Sequence, residues 1–237
     1  KLARAIVIAN PNKPWARRLA GEVVRFLRAR GAAAARTARN ADAIIIIGGD
    51  GTLLYNKSRY DLPIFGIGSQ RSAICQAHKG NWRKKLSRIL SRGFSLDRRM
   101  MLTCEVDGRK VRDALNEIVV RSRNHRVIDI SLTLDGRKFR FYADGVLFST
   151  PTGSSSYAYS CGGRELPRHA RRFEIVAIAP YRRRFRPAVV SENTTASVTT
   201  RSSTADLVFD GQFIHRVRPG QRIRVYRSTR QALLVRA

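Results

Sequence analysis

The sequence predicts an α/β domain with a mainly parallel sheet, followed by a β-rich domain, with a cleft where the two meet. Three observations predict it. Between Leu2 and about Phe94, apolar strand-like runs alternate with helical stripes, as in a parallel sheet with helical crossovers. From about Leu96 the chain turns to short alternating runs separated by turn dipeptides. No repeat or low-complexity linker divides the two textures, which implies a packed junction. The expected domains are residues 1–95 and 96–237.

Taken in order, "LARAIVIAN" reads as the first strand, and "WARRLAGEVVRFLRARG" as a helix with an apolar stripe at Leu19, Val23, Phe26 and Leu27. Gly31 stands where a helix C-cap belongs. "AIIII", Ala43 to Ile47, is a short unbroken β-branched run and so predicts a strand buried on both faces. Gly48, Gly49, Asp50 and Gly51 then form a turn, and Thr52 opens a helix, "TLLYN". "LPIFGI" supplies a further strand, and "WRKKLSRILSRG" a helix closed by Gly93. In the second half, "MLTCEVDG", "RKVRDALNEIVVRS", "RVIDISLTLDG", "RKFRFYADGVLFST", "FEIVAIAP", "TASVTT", "ADLVFDG", "QRIRVYR" and "QALLVRA" read as strands. The Asp107–Gly108 and Asp135–Gly136 pairs between them signal hairpins.

Lys+Arg 46 against Asp+Glu 17 gives the chain a formal charge of +29, a strong positive field. Such a field suits polyanions, from nucleotides to polyphosphate, and equally a solvated, heat-adapted surface. Nucleic acid is not the expected partner, because basic residues are dispersed apart from "YRRRFRP" and neither zinc-finger spacing nor an aromatic RNA-binding signature occurs. No apolar run approaches the ~20 residues of a membrane span, and the first residues lack a leader's apolar segment. A soluble, cytoplasmic protein without membrane partners is expected. Cys75, Cys104 and Cys161 are odd in number and widely spaced, which favours packing over metal or redox chemistry.

Four segments carry chemical signals. In "GGDGT", glycines let a ligand approach the main chain, and N–H groups at the helix start favour an anion. Asp50 is the odd member, since a carboxylate repels phosphate unless a metal or a proton-transfer task accounts for it. "DGVLFSTPTGSSSYAYSCGG", Asp144 to Gly163, holds more hydroxyls than capping needs, and a row of donors and acceptors suits a polyhydroxylated or phosphorylated ligand. "NE", Asn116 and Glu117, sits in the strand-like run "RDALNEIVV", where alternation turns at least one of the two inward. "DGQF", Asp210 to Phe213, is by itself a turn between strands.

Together these segments resemble the NAD kinase family, within a broader group that includes diacylglycerol and sphingosine kinases and phosphofructokinases. "GGDGT" is common to the group. "NE", "TPTGSSSYAYSCGG", "FRP" at Phe185 to Pro187 and "DGQ" are similar to NAD kinases in order and spacing. The resemblance implies transfer of a phosphoryl group from ATP, or polyphosphate, to the adenosine 2′-hydroxyl of NAD. It implies that Asp50 takes the hydroxyl proton, and that Gly48, Gly49, Gly51 and Thr52 bind phosphate. It implies an NAD site of Asn116, Glu117, Asp144, Thr152, Ser155, Ser156, Tyr157 and Ser160. Mg²⁺ or another divalent metal delivered with ATP, and a homodimer or homotetramer, are also implied.

Departures from the family pattern are specific. After "PIFGIG" stands "SQRSAICQ", Ser69 to Gln76, without the glycine and aromatic expected there, which leaves NAD against NADH or another acceptor open. The close on "QALLVRA" leaves little length for a segment returning to the first domain. A lipid kinase would share "GGDGT" but need an apolar or membrane-facing entrance. A non-catalytic nucleotide or nucleic-acid binder would have no need of Asp50.

Overall fold

The computed structural model describes residues 2–57, 59–124, 126–201 and 203–237. The chain divides into two compact units, Lys1–Arg98 with Ala232–Ala237, and Arg99–Gln231. In the first lie β1 (Arg4–Ala9), α1 (Pro14–Arg28), β2 (Ala33–Ala34), β3 (Ala43–Ile47), α2 (Asp50–Asn56), β4 (Ile64–Gly68), β5 (Ala77–His78) and α3 (Trp82–Arg92). The strands run in the order β2-β1-β3-β4, all parallel, with Ala5 beside Ala43 and Ile44 beside Ile64. β5 continues the far edge of β4, also parallel. All five residues of β3 are buried, which is what its unbroken isoleucine run demands.

Pro14 opens α1, where its fixed φ suits the helix and its missing N–H costs nothing. Ala16, Leu19, Val23 and Leu27 are the buried stripe. Phe26 stays half-buried and meets Trp82 of α3 edge to face, ring centroids 5.2 Å apart. Gly93 caps α3 at φ 84°, as its position predicts. α2 begins two residues before the expected start: Gly49 is its N-cap, and Thr52 lies inside the helix.

The second unit takes most of β6 (Ser95–Val106) and of β17 (Ile223–Arg236), and between them β7 (Arg109–Ala114), β8 (Glu117–Ser122), β9 (Ile128–Leu134), β10 (Arg137–Ala143), β11 (Gly145–Ser149), β12 (Arg172–Ile178), β13 (Ala188–Ser191), β14 (Ala196–Thr200), β15 (Ala205–Phe209) and β16 (Phe213–Val217). One antiparallel set runs β10-β9-β14-β17-β6-β7, and a second runs β13-β12-β11-β8-β15-β16. Leu102, Ile130, Leu132, Phe141, Val198 and Val225 of the first share one core with Ile118, Val120, Phe148, Ile175 and Leu207 of the second. The alternate residues Val119, Leu147 and Val176 face away from that core and pack with Ala158. The hydroxyl-rich segment is thereby seated on the outer face of the second sheet. Asp107–Gly108 and Asp135–Gly136 turn between paired strands with positive φ at both residues, as the D-G signal predicts.

Two expectations are corrected. "RDALNEIVV" is two strands, broken at Leu115–Asn116, because β7 pairs with β6 while β8 lies between β11 and β15. "QRIRVYR" and "QALLVRA" are one strand, β17, whose end does return to the first unit: Leu234 pairs parallel with Ile64, and Val235 joins the core of α1 and α3.

Candidate active site

In the first unit β3 delivers the chain into the glycine turn. Gly48 and Gly49 have φ of 153° and 101°, a region closed to most residues. A Cβ on Gly48 would lie 2.5 Å from Thr52 Oγ1 and 2.7 Å from Asn10 Cβ, so the tightness of the turn also demands glycine. Thr52 is buried, and its hydroxyl accepts a hydrogen bond from Asn10 Nδ2 at 2.8 Å, which braces the turn. Lys13 Nζ donates to the Gly48 carbonyl at 2.6 Å.

Asp50, the first residue of α2, is half-buried. Its Oδ2 accepts the N–H of Ala73 at 2.7 Å, and its Oδ1 accepts those of Ile74 and Cys75 at 3.1 and 3.0 Å. The Cys75 thiol donates to the same carboxylate, and burial, with the Asp50 charge added, pushes that thiol above its ordinary range. The atypical segment Ser69–Gln76 is therefore the clamp on Asp50. Gln76 secures it, accepting the N–H of Gly66 at 2.5 Å and donating to the Ile74 carbonyl at 2.9 Å. Residue types alone do not show this clamp, since three of its donors are backbone amides.

In the second unit, Asp210 lies at the β15–β16 turn with φ 52° and is buried. Its carboxylate accepts the N–H of Leu115 at 3.1 Å and of Asn116 at 2.6 Å. The hydroxyl of Thr150 donates to the Leu115 carbonyl at 2.5 Å and accepts the N–H groups of Thr152 and Gly153. "DGQ" and the first threonine of "TPTG" thus fix "NE" in place. Asn116 and Glu117 are both buried, and Asn116 Oδ1 and Glu117 Oε2 have no hydrogen-bond partner among the described residues. Burial first, and the Asp210 charge second, push the Glu117 carboxyl up to about 7. Two buried acceptors without donors have the chemistry to receive N–H or O–H groups.

Gly153 packs directly on Asn116: a Cβ there would collide with the Asn116 carbonyl oxygen and lie 2.7 Å from its Cα. Gly153→Ala is expected to lower stability by about 1–3 kcal/mol, as overpacking against rigid backbone does, or a fall in Tm of roughly 3–10 °C. Thermal unfolding checks it, and a Tm within ~2 °C of the parent would mean that Asn116 yields easily.

The hydroxyl row divides. Ser154 is fully buried, donating to the Pro151 carbonyl at 3.0 Å and accepting the N–H of Leu166 at 2.8 Å, a structural task. Thr152 Oγ1 accepts from Arg99 Nη1 at 3.2 Å. Ser155, Ser156, Tyr157 and Ser160 are exposed on an irregular helical turn in which Ser156 leaves helical geometry, at φ −106°, ψ −118°. The Ser160 hydroxyl donates to the Ser156 carbonyl at 3.3 Å. Burial, with neighbouring Cys161 and Asp144, raises the Tyr157 hydroxyl, against the lowering effect of Arg121. Asp144 is exposed just before β11, its N–H donating to the Ile178 carbonyl at 3.0 Å. Sequence reasoning passed over Asn10, Lys13 and Thr150; "NPNK" directly after a first parallel strand is the available signal, since ligands gather at such carboxyl ends.

A family model described as the ATP-NAD kinase C-terminal domain matches residues 115–237. The NAD kinase of Methanocorpusculum labreanum is 31% identical over 201 residues, 83% of this chain and 74% of that protein. That of Thermoplasma acidophilum is 30% identical over 237 residues, 98% of this chain and 86% of the relative. Among solved structures, an NAD kinase from Archaeoglobus fulgidus in complex with ATP matches at TM-score 0.84 and 28% identity, covering 98% of this chain and 92% of its own. Yeast NADH kinase complexed with NADH shares the fold at TM-score 0.85 and 18% identity, covering 100% and 84%.

Proposed function

Because the chain belongs to the NAD kinase family, we propose that it transfers a phosphoryl group from ATP to the adenosine 2′-hydroxyl of NAD, forming NADP. The observation that carries the chemistry is the Asp50 carboxylate, fixed on a glycine turn by three amides. A ribose hydroxyl is too weakly acidic to attack phosphorus unaided, so Asp50 would take its proton. An ionised carboxylate offers about four acceptor positions. The clamp occupies three with amides and one with a thiol, the weakest donor, which the substrate hydroxyl would displace.

Phosphoryl transfer otherwise needs positioning and charge neutralisation. The turn of Gly48, Gly49, Gly51 and Thr52 would receive phosphate oxygens. Mg²⁺, or another divalent ion, would come as part of the Mg-ATP substrate; among the described residues no three His, Cys, Asp or Glu side chains group to hold one. Asn116 Oδ1 and Glu117 Oε2, without donors among the described residues, suit the amine and hydroxyls of adenosine. Thr152, Ser155, Ser156, Tyr157 and Ser160 would line the same ligand, and Asp144 its nicotinamide end. Assembly as a homodimer or homotetramer and a cytoplasmic location belong to this reading; no helix among the described residues is long and apolar enough to cross a membrane.

Incubation with Mg-ATP and NAD is expected to yield NADP, and no NADP with any donor, acceptor or metal would overturn the assignment. NADH is run beside NAD to settle the acceptor. Polyphosphate, tested as a second donor, is expected to lose rate steeply between low and moderate salt, because screening shortens to ~8 Å near physiological ionic strength. Saturated turnover with ATP, governed by short contacts, should change little. Equal salt dependence for both donors would dissociate the +29 charge from donor capture.

A further inference from the structure

We propose that Lys13 is a catalytic residue of this transfer, its ammonium neutralising the phosphoryl group held over the glycine turn. The inference rests on the kinase reading above and adds a residue to it. The segment Asn10–Lys13 is stitched to the turn at three points: the Asn10 N–H donates to the Ile47 carbonyl at 2.8 Å, Asn10 Nδ2 to Thr52 Oγ1 at 2.8 Å, and Lys13 Nζ to the Gly48 carbonyl at 2.6 Å. Asn10 Oδ1 in turn accepts the Asn12 N–H at 2.9 Å, and the Lys13 N–H donates to the Asn10 carbonyl at 3.2 Å, so the segment is rigid up to the lysine.

Lys13 then anchors α1, its carbonyl accepting the N–H groups of Ala16 and Arg17. The ammonium is carried over the turn: a Cβ built on Gly49 would lie 3.9 Å from Lys13 Nζ. It also acts electrostatically on Cys75, the residue that donates to Asp50, so it shares the neighbourhood of the carboxylate. Lys13 is an exposed residue whose ammonium has three N–H donors, one of which binds Gly48. The others are available to oxygen atoms of an incoming anion. Asp50 brings negative charge to a phosphate site, and a fixed cation beside the turn resolves the repulsion that the sequence poses.

A point charge on a fixed carbonyl acts most strongly where negative charge spreads over the transferring group. Lys13→Met is therefore expected to lower kcat/KM for ATP by ~10²-fold, the usual loss on removing one such donor, with the apparent constant for NAD within about threefold. Lys13→Arg, which keeps the charge, should recover at least ~10-fold of that loss. Circular dichroism and Tm close to the parent would exclude loss of the fold as the cause. Lys13→Met within threefold of the parent, or an Arg variant no better than Met, overturns the proposal. Binding of Mg-ATP, measured by calorimetry on parent and Met variant, separates the two claims: a parent that makes no NADP sinks the kinase reading, whereas equal Mg-ATP affinity and equal rate sink Lys13 alone.

Discussion

Asp50→Asn is expected to lower NADP formation by ~10²–10⁴-fold, the range associated with a positioned general base. The clamp adds a second consequence. An amide keeps one acceptor oxygen and turns its NH₂ toward donors, so it must release either the Ala73 N–H or those of Ile74 and Cys75. The Cys75 thiol, held high by burial and by the Asp50 charge, loses that charge and its acceptor. Alkylation at Cys75, located by mass spectrometry, should accelerate roughly tenfold for each pKa unit the thiol regains. Turnover within a few-fold of the parent would remove Asp50 from the chemistry. Unchanged Cys75 reactivity would mean that the loop stays in place without the carboxylate.

Glu117→Gln is expected to stabilise the protein at neutral pH. The folded state holds the Glu117 carboxyl at about 7, against 4.5 for the ordinary group. Because the folded form prefers the proton, Glu117 costs nothing below pH ~4.5. The cost grows as pH rises to about 7 and is constant above, at about 3 kcal/mol. Glutamine cannot ionise and has an amide that can face Asp210. The variant should therefore match the parent near pH 4.5 and exceed it at pH 8 by up to that amount, read as a difference in urea midpoints. A difference independent of pH would show that Glu117 is not the group that titrates. Its Oε2, without a partner among the described residues, is where that cost is concentrated.

What the sequence displays is what local chemistry controls. The isoleucines of β3 announce a strand buried on both sides, and Asp107–Gly108 and Asp135–Gly136 announce hairpins, because each signal is complete within a few residues. The break at Leu115–Asn116 contains no glycine or proline to announce it. Asp210 imposes it from 94 positions away by drawing the Asn116 N–H out of strand pairing. The grip on Asp50 is equally silent, since Ala73, Ile74 and Cys75 contribute amides common to every residue. Of the candidate residues, Asp50, Asn116 and Glu117 stood out by type, being carboxylates and an amide where packing alone would not place them. Lys13 did not, because one lysine among 46 basic residues carries no mark until its partner is known.

The first unit is assembled from two stretches of chain, Lys1–Arg98 and Ala232–Ala237, with all of the second unit encoded between them. During synthesis, β1, β3 and β4 leave the ribosome early, yet Leu234, which pairs with Ile64, and Val235, which enters the α1 and α3 core, are made only after Arg99–Gln231. The usual order, in which an amino-terminal domain is finished before the next begins, is therefore closed to this chain. The parallel sheet must wait with one side of β4 incomplete while the intervening β structure is made. Ala232–Ala237 then act as a latch that adds Leu234 to the edge of the sheet and Val235 to its core.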